Sequence, residues 1–213
     1  MNVTIIGPGN MGRAIGTRAA AAGHSVTFVG DKRETAEQAA QDVKASVKNG
    51  AKISTAELES VNLGDIVVLA VWYGTNKEVA KQLGNKLDGK VVVDIANPLK
   101  PTYDDLATAP GSSSAEEVAQ AVPNAKVVKA FNTTYAGTLR AGQVEGKPLD
   151  VWIAGDDADA KNKVAQLVKD AGMRPIDAGP LRRARQIEAM QLLHIVTQGT
   201  LGTNWGSAIK VLG

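Results

Sequence analysis

The sequence contains no cysteine, and its only histidines are His24 and His194. A chain without cysteine can form no disulfide, thiol nucleophile or cysteine-based metal site. Two histidines are too few for a histidine-rich metal centre. We therefore expect no metal site. We interpret His24 as a surface turn residue and His194 as a packed side chain.

The sequence also shows no long apolar run, no signal-peptide pattern in its first residues and no basic tract. No apolar segment approaches the roughly 20 residues that a transmembrane helix needs. The first residues enter a predicted strand without the basic and apolar regions of a signal peptide. The formal net charge of +2 argues neither for nor against nucleic acid, but the basic residues form no tract. These absences lead us to expect a cytoplasmic protein that binds neither membranes nor nucleic acids.

The first dozen residues carry the strongest motif. Val3–Ile6 is a β-branched run typical of a buried strand, and a helical apolar pattern follows it. Between them lies the spacing G-x-G-x-x-G, in which the glycines permit a tight turn, admit a pyrophosphate and let the helix pack on the strand. The helix N-terminus adds free N–H groups that favour an anion. The residues predicted to bind a dinucleotide here are Gly7, Pro8, Gly9, Asn10, Met11 and Gly12.

The turn after the second predicted strand, Ser25–Val29, bears on which dinucleotide is favoured. A carboxylate in this turn hydrogen-bonds a ribose 2′-hydroxyl and favours NAD, whereas basic side chains accommodate a 2′-phosphate and favour NADP. Asp31 occupies the acidic position, and Lys32 and Arg33 follow it. Two adjacent cations can hold a phosphate and also neutralise the carboxylate. We therefore expect all three residues at the ribose, with NADP(H) preferred over NAD(H).

Two further strand ends supply predicted cofactor contacts. Residues 65–71, apolar from Ile66 onward, indicate a parallel strand covered on both faces, and residues 90–95 are the next predicted strand. Ligands of open α/β sheets bind beyond the carboxyl ends of such strands. We expect the side-chain amide of Asn97 to face the nicotinamide carboxamide. The residues predicted on this side are Ala70, Val71, Trp72, Ala96, Asn97 and Pro98.

A second ligand is expected beside the nicotinamide. The polar segment after the predicted strand 125–130 is suited to positioning a substrate. Farther on, three arginines crowd the first turn of the last helical segment, where the helix dipole disfavours cations. An anionic partner or a solvated helix face would account for them. The residues predicted to border the substrate are Asn132, Thr133, Thr134, Leu181, Arg182 and Arg185.

Strands alternate with helices along the chain, which predicts an α/β fold with a Rossmann-type, doubly wound, mainly parallel sheet. Ser54 and Thr55 are expected to cap a short helical turn that runs through Leu58. We assign residues 1–179 to an NAD(P)-binding Rossmann domain and residues 180–213 to a short C-terminal helical segment. Because that segment is apolar nearly all round, we expect it to pack on the domain and on a second subunit, giving a homodimer.

These motifs together resemble a known family. The chain is similar to the NADPH-dependent reductases of the deazaflavin coenzyme F420, and to the cytoplasmic oxidoreductase domain of the six-transmembrane epithelial antigen metalloreductases. The resemblance extends over essentially the whole chain. Residues 30–34 resemble the family's 2′-phosphate-binding stretch, residues 128–133 the metalloreductase segment Lys-Ala-Phe-Asn-Thr, and residues 177–181 the deazaflavin reductase stretch Asp-Ala-Gly-Pro-Leu.

The resemblance implies hydride transfer between NADP(H) and a flavin or deazaflavin acceptor such as F420. Such chemistry belongs to the cofactors, so the protein needs only to orient two rings and requires no acid or base. Two alternatives remain open from the residues. One is a reductase of a small carbonyl or imine substrate, which needs a proton donor. The other is a non-catalytic NADP-binding sensor, because a fold alone does not establish an activity.

Overall fold

A mainly parallel, eight-stranded sheet forms the centre of the computed structural model, which describes residues 1–212. The strands are β1 (Asn2–Ile6), β2 (Ser25–Val29), β3 (Ile53–Ala56), β4 (Ile66–Leu69), β5 (Val91–Asp94), β6 (Lys126–Lys129), β7 (Gln143–Val144), β8 (Lys147–Pro148), β9 (Asp150–Gly155) and β10 (Arg174–Gly179). β7 and β8 form a separate hairpin, and the order in the large sheet is β10-β9-β6-β5-β4-β1-β2-β3.

Helices cover both faces of this sheet. They are α1 (Asn10–Ala21), α2 (Arg33–Ser46), α3 (Thr75–Leu83), α4 (Ser114–Ala121), α5 (Ala136–Ala141), α6 (Ala158–Asp170), α7 (Ala184–Val196) and α8 (Gln198–Leu201), with short 3-10 turns at Gly84–Leu87 and Leu181–Arg183. Within the described range, no helix combines the length and the apolar character needed to cross a bilayer.

The topology confirms the predicted Rossmann-type fold. β1 pairs in parallel with both β2 and β4. β2 and β3 are added on one side of β1, and β4, β5 and β6 on the other, so the order of the strands reverses beside β1. β4, β5 and β6 continue in parallel, and within the described part of the large sheet only the β6–β9 pair is antiparallel. The carboxyl ends of six strands therefore meet at one edge, and a crevice opens there at the switch between β1 and β4.

The buried strands alternate between two cores. In β4, Ile66 and Val68 join the cluster on one face of the sheet, whereas Val67 and Leu69 join the cluster on the other. All four side chains are buried. A strand covered on both faces has no need of polar residues, which explains why the sequence reads here as an uninterrupted apolar run.

Side-chain caps are present at the starts of α4 and α6. Ser113 is the N-cap of α4, and its Oγ accepts a hydrogen bond from Glu116 N at 3.2 Å. Asp157 caps α6 by accepting from Ala160 N at 2.8 Å. Asp156 instead accepts a bond from Leu181 N at 2.8 Å, so it fixes the start of the C-terminal segment.

Two local predictions were wrong. Residues 53–56 form the edge strand β3 rather than a capped helical turn through Leu58, and β3 pairs in parallel with β2. Pairing with an open sheet edge outweighs the local capping tendency of Ser54 and Thr55. His24 is buried rather than on the surface. Its Nδ1 lies 3.1 Å from the N-terminal amine, and its Nε2 lies 3.1 Å from Asp170, so long-range contacts hold the ring in place. Burial, together with the N-terminal charge, lowers the pKa of His24 despite Asp170.

The C-terminal segment packs on the sheet through one side of α7. Ala184, Ile187 and Glu188 are buried, and Tyr135 donates a hydrogen bond to the backbone oxygen of His194 at 3.1 Å. His194 is packed, as the sequence predicts, and its Nε2 lies 2.8 Å from Ser207 Oγ. The opposite side of this segment is apolar and exposed, with relative exposures of 64% for Leu193, 47% for Val196 and 54% for Leu201.

Candidate active site

A cleft of about 1520 Å³ follows the carboxyl edge of the sheet. It passes the ends of β3, β2, β1, β4, β5 and β6 in turn, and α7 and the C-terminal turn close its far side. Sites for single drug-sized ligands commonly occupy about 300–1000 Å³. The cleft therefore has room for two ligands side by side.

The glycine loop forms the floor of the cleft between β1 and α1. Gly7 has a φ of +98°, and a Cβ there would lie 2.3 Å from the backbone oxygen of Ala70. A Cβ on Gly12 would lie 2.1 Å from the backbone oxygen of Gly7, so this glycine permits α1 to pack against the loop. Apart from Gly9 itself and its neighbours in the chain, no heavy atom of residues 1–212 lies within 4 Å of the corresponding position on Gly9. Space is thus open where an anion would meet the loop.

The first turn of α1 is suited to that anion. Its N-cap is Gly9, and no side chain in the described structure caps the helix. The free backbone N–H groups therefore face the cleft, and the positive end of the helix dipole adds to their attraction for a phosphate. Arg13 holds the loop in place, because its Nε donates to Pro8 O at 2.9 Å and its Nη1 donates to Asp42 at 2.5 Å.

At the β2 end of the cleft, two of the three predicted ribose residues line the wall. Asp31 and Arg33 do so, whereas Lys32 does not. The carboxylate of Asp31 accepts from Lys32 N at 2.9 Å, so it is held at the turn. Arg33 is exposed, and its Nε donates to Glu37 at 2.7 Å, an ion pair that raises the pKa of Arg33. Because solvent screens this pair, the guanidinium remains available to an anion.

The middle of the cleft is bordered by Ala70, Val71 and Trp72 after β4, and by Ala96 and Asn97 after β5. Trp72 is 87% exposed and projects at the rim.

The amide of Asn97 is engaged with Asn132. Asn97 Nδ2 donates to the backbone oxygen of Asn132 at 3.0 Å, and Asn132 Nδ2 donates to Asn97 Oδ1 at 2.9 Å. The pair joins the ends of β5 and β6 and fixes the wall between them. One Nδ2 hydrogen of Asn97 is left for a ligand, because that amide has two.

Beyond β5 the cleft opens into a chamber lined by uncharged side chains, which we call the inner chamber. Its lining residues are Asn97, Leu99, Tyr103, Thr134, Tyr135, Ala136, Gln191, Ile195 and Trp205. The rings of Tyr135 and Trp205 pack edge to face, with centroids 5.2 Å apart. The ring of Tyr135 also contacts that of His194, with centroids 4.7 Å apart. Burial raises the pKa of Tyr135 to about 12, so its hydroxyl stays neutral.

A buried ion network lies behind the inner chamber. Lys129 Nζ lies 2.8 Å from Asp94 Oδ2 and 2.8 Å from Glu188 Oε1, with all three side chains shielded from solvent. Burial alone would lower the pKa of Lys129, but the two carboxylates outweigh it and raise that pKa. Burial also raises the pKa of Glu188. Because Lys129 donates to the backbone oxygen of Ala96, the network ties α7 and the wall of the cleft to the sheet.

Several residues predicted at the site lie outside the cleft. Arg185 forms a two-point ion pair with Glu116, at 2.8 and 2.6 Å, and so stabilises the start of α4. Leu181 is buried in the core, and Arg182 is exposed away from the cleft. Asn132 and Thr133 are buried directly behind its wall, and each has an oxygen without a hydrogen-bond partner among the described residues. The predicted residues that do not line the cleft are Gly12, Lys32, Pro98, Asn132, Thr133, Leu181, Arg182 and Arg185.

Other lining residues were not predicted. Residues 55–59 line the cleft, but the sequence predicted a helical turn there instead of β3. Arg13 on α1 also lines the cleft and was not among the predicted residues. Tyr135 adjoins the predicted polar segment, so its aromatic ring could have been included. Tyr103 and Trp205 lie in irregular turns far apart in the chain, and no periodic signal marks them. Among residues 1–212, no group of three or more potential metal-ligating side chains comes together.

The chain is similar in sequence to a described family and to proteins of known activity. The family described as NADP oxidoreductase, coenzyme F420-dependent, matches residues 2–98. The F420-dependent NADP reductase of Methanocaldococcus jannaschii is 32% identical over 207 residues, covering 92% of this chain and 91% of that protein. The metalloreductase STEAP3 of Rattus norvegicus is 32% identical over 190 residues, which cover 89% of this chain but only 36% of that protein.

A solved structure supports the same assignment. A candidate F420-dependent NADP reductase from Arthrobacter sp. FB24 has a TM-score of 0.82 and 28% identity, and the match covers 99% of both chains. The resemblance inferred from the sequence motifs is confirmed by these matches. Since the M. jannaschii protein aligns at 32% identity over nearly the full length of both chains, this protein belongs to the F420-dependent NADP reductase family of oxidoreductases.

Proposed function

We propose that this protein transfers a hydride between NADP(H) and a flavin or deazaflavin acceptor. The observation that carries the proposal is the single cleft with two unlike ends. One end offers an open helix N-terminus, a glycine loop and Arg33, whereas the other is the uncharged, aromatic inner chamber. A dinucleotide and a planar acceptor can meet only where these two ends join, beside Val71 and Asn97.

The dinucleotide end fits NADP(H). Backbone N–H groups of Asn10 and Met11 would hold the pyrophosphate, with Gly9 leaving room for it. Arg33 would hold the 2′-phosphate, while Asp31 beside it would weaken this preference by repulsion. NADPH supplies a hydride, which is one proton and two electrons, and leaves as NADP⁺. The chain's own part is to hold both rings in contact, at about 3–3.5 Å between reacting atoms.

The inner chamber supports positioning rather than acid–base chemistry. The hydroxyl group of Tyr135 donates a hydrogen bond to the backbone oxygen of His194. Lys129 is enclosed in the buried network behind the wall. Neither group is therefore free to protonate a substrate carbonyl or imine. This arrangement favours hydride transfer to a ring over the carbonyl or imine alternative.

The proposal is tested by steady-state turnover of the purified protein. NADPH and NADH are each offered with riboflavin, FMN, FAD and F420, and pyruvate and a cyclic imine serve as alternative substrates. We expect NADPH oxidation that requires a flavin or deazaflavin and is faster than NADH oxidation. Turnover of pyruvate or the imine alone would contradict the proposal. Binding of NADPH with reduction of no acceptor would instead favour a sensor.

A further inference from the structure

The charges of the cleft are confined to its dinucleotide end. All charged side chains among its described lining residues belong to the region of β1, β2 and β3, namely Arg13, Asp31, Arg33, Glu57 and Glu59. From β4 onward, every described lining side chain is uncharged. An anionic ligand that enters the inner chamber would thus lose water without gaining a cation, which is unfavourable.

Three cations near this chamber in the chain have carboxylate partners, and none of the three lines the cleft. Arg185 is bound at two points by Glu116, and Lys129 is enclosed between two carboxylates. Lys100, which borders the chamber in sequence, pairs with Asp105 at 3.2 Å. An acidic tail on the acceptor therefore meets no cation among the described residues that line this part of the wall.

Three of the aromatic side chains that line the cleft, Tyr103, Tyr135 and Trp205, belong to the inner chamber, and Trp72 lies at the rim. The chain has only three tryptophans and three tyrosines, and two of each line the cleft. Tyr103 and Trp205 have φ values of +56° and +63°, a left-handed conformation that costs energy for such bulky residues. Residues held in this conformation cluster at ligand sites. Here the two turns present aromatic rings to the chamber from segments about a hundred residues apart.

We propose that the acceptor used by this chain is an uncharged, planar heteroaromatic ring system of the riboflavin class, without a phosphate or acidic tail. The inference rests on the proposed function and names the substrate class for the inner chamber. Trp205 and Tyr103 are its specificity residues, because a flat ring gains contact and stacking from each. In the reaction the flavin accepts the hydride at N5 and a proton from water at N1, while NADPH becomes NADP⁺.

Riboflavin and FMN provide the sharpest comparison, since they share one ring system and differ by a phosphate. Binding is measured by quenching of flavin fluorescence with NADP⁺ present, so that no hydride can be donated. Turnover with NADPH is measured separately. We expect riboflavin to bind about tenfold more tightly than FMN and to be reduced more efficiently, because the chamber offers the phosphate no cation.

Variants of the C-terminal turn test the role of Trp205. Trp205→Ala should weaken riboflavin binding about tenfold, whereas Trp205→Phe retains a ring and should keep most of the affinity. Leu212→Ala is the matched control, because Leu212 is an exposed apolar residue of the same C-terminal segment that does not line the cleft. NADP⁺ affinity should remain unchanged in all three variants.

The outcomes separate this inference from the proposed function. If FMN or F420 binds and turns over as well as riboflavin or better, the uncharged-acceptor proposal is overturned while hydride transfer to flavins stands. An unchanged riboflavin affinity in Trp205→Ala removes the assigned role of that ring. If no flavin or deazaflavin is bound or reduced, both proposals fail. The riboflavin to FMN ratio of the unaltered protein decides the question even if a variant does not fold.

Discussion

Two glycines of the same loop perform different tasks at the level of the single residue. A side chain on Gly12 would collide with the backbone of the loop, whereas a side chain on Gly9 would meet only open space. Gly9 has a φ of −73°, which any residue can adopt. We therefore expect Gly12 to be needed for packing and Gly9 to be needed for a ligand. This distinction can be tested because stability and binding should respond separately.

We predict that Gly9→Ala leaves the melting temperature unchanged but weakens NADPH binding at least tenfold, because the methyl group occupies space needed by the pyrophosphate. Gly12→Ala should instead destabilise the fold by about 1–3 kcal/mol through overpacking. Thermal unfolding and NADPH fluorescence titration measure the two effects. Equal loss of stability in both variants would contradict the division of tasks.

Lys32 and Arg33 are adjacent cations that the fold separates. Only Arg33 lines the cleft. We predict that Arg33→Ala raises the dissociation constant for NADPH about tenfold, as expected for loss of one charged hydrogen-bond partner, and leaves the constant for NADH unchanged. Lys32→Ala is the matched control and should change both by less than about twofold. Equal effects of the two substitutions on NADPH would show that the 2′-phosphate is held elsewhere.

At the scale of secondary-structure elements, Asp150 joins β9, β10 and the end of the chain. Its carboxylate accepts hydrogen bonds from Arg174 Nε and Lys210 Nζ, each at 2.8 Å, and from Val211 N at 2.9 Å. Burial alone would raise the pKa of Asp150, but these donors outweigh it and lower the pKa to about 2. The carboxylate therefore stabilises the fold in its charged form.

The stability from Asp150 should depend on pH. Because the folded pKa lies below the unfolded value of about 3.9, this contribution of about 2 kcal/mol is complete above that value and disappears as the pH falls towards 2. Asp150→Asn should lose it at neutral pH and show a smaller decline in acid. Urea unfolding at pH 7, 4 and 2.5 measures this. Parallel pH profiles for the two proteins would contradict it.

Elements were predictable from the sequence where burial is uniform or capping is local. β4 reads as an apolar run because both its faces are covered, and Ser113 and Asp157 cap helices through hydrogen bonds to residues three positions away. β3 was mistaken for a helical turn because its stability comes from pairing with β2, to which local sequence gives no clue.

The candidate site was predicted in part for the same reason. The position of the glycine loop at the cleft could be predicted because its residues form a local motif. Arg185 was misplaced because its partner Glu116 is distant in the chain. Tyr103 and Trp205 were missed because they converge only in the folded molecule, from two irregular turns. Residues that contribute through long-range packing leave no periodic signal in a single sequence.

At the scale of the whole molecule, the C-terminal segment has an exposed apolar side. We propose that Leu193, Val196 and Leu201 form part of a homodimer interface, since exposed apolar patches of this kind mark interaction sites. The predicted result is a dimer at micromolar concentration by light scattering, and a monomer for Leu193→Glu. Lys81→Glu on α3 is a control for the change in charge. A monomeric unaltered protein would refute the interface.

The central claim is that one cleft brings a reduced nicotinamide into direct contact with a planar acceptor. Single-turnover mixing of the protein and NADPH with the fastest acceptor tests it most directly, using NADPH deuterated separately at each of its two C4 positions. We predict that nicotinamide oxidation and acceptor reduction proceed at one shared rate, which deuterium slows at one C4 position and not at the other. Nicotinamide oxidation that precedes acceptor reduction, or that is insensitive to deuterium at both positions, would contradict direct transfer within the cleft.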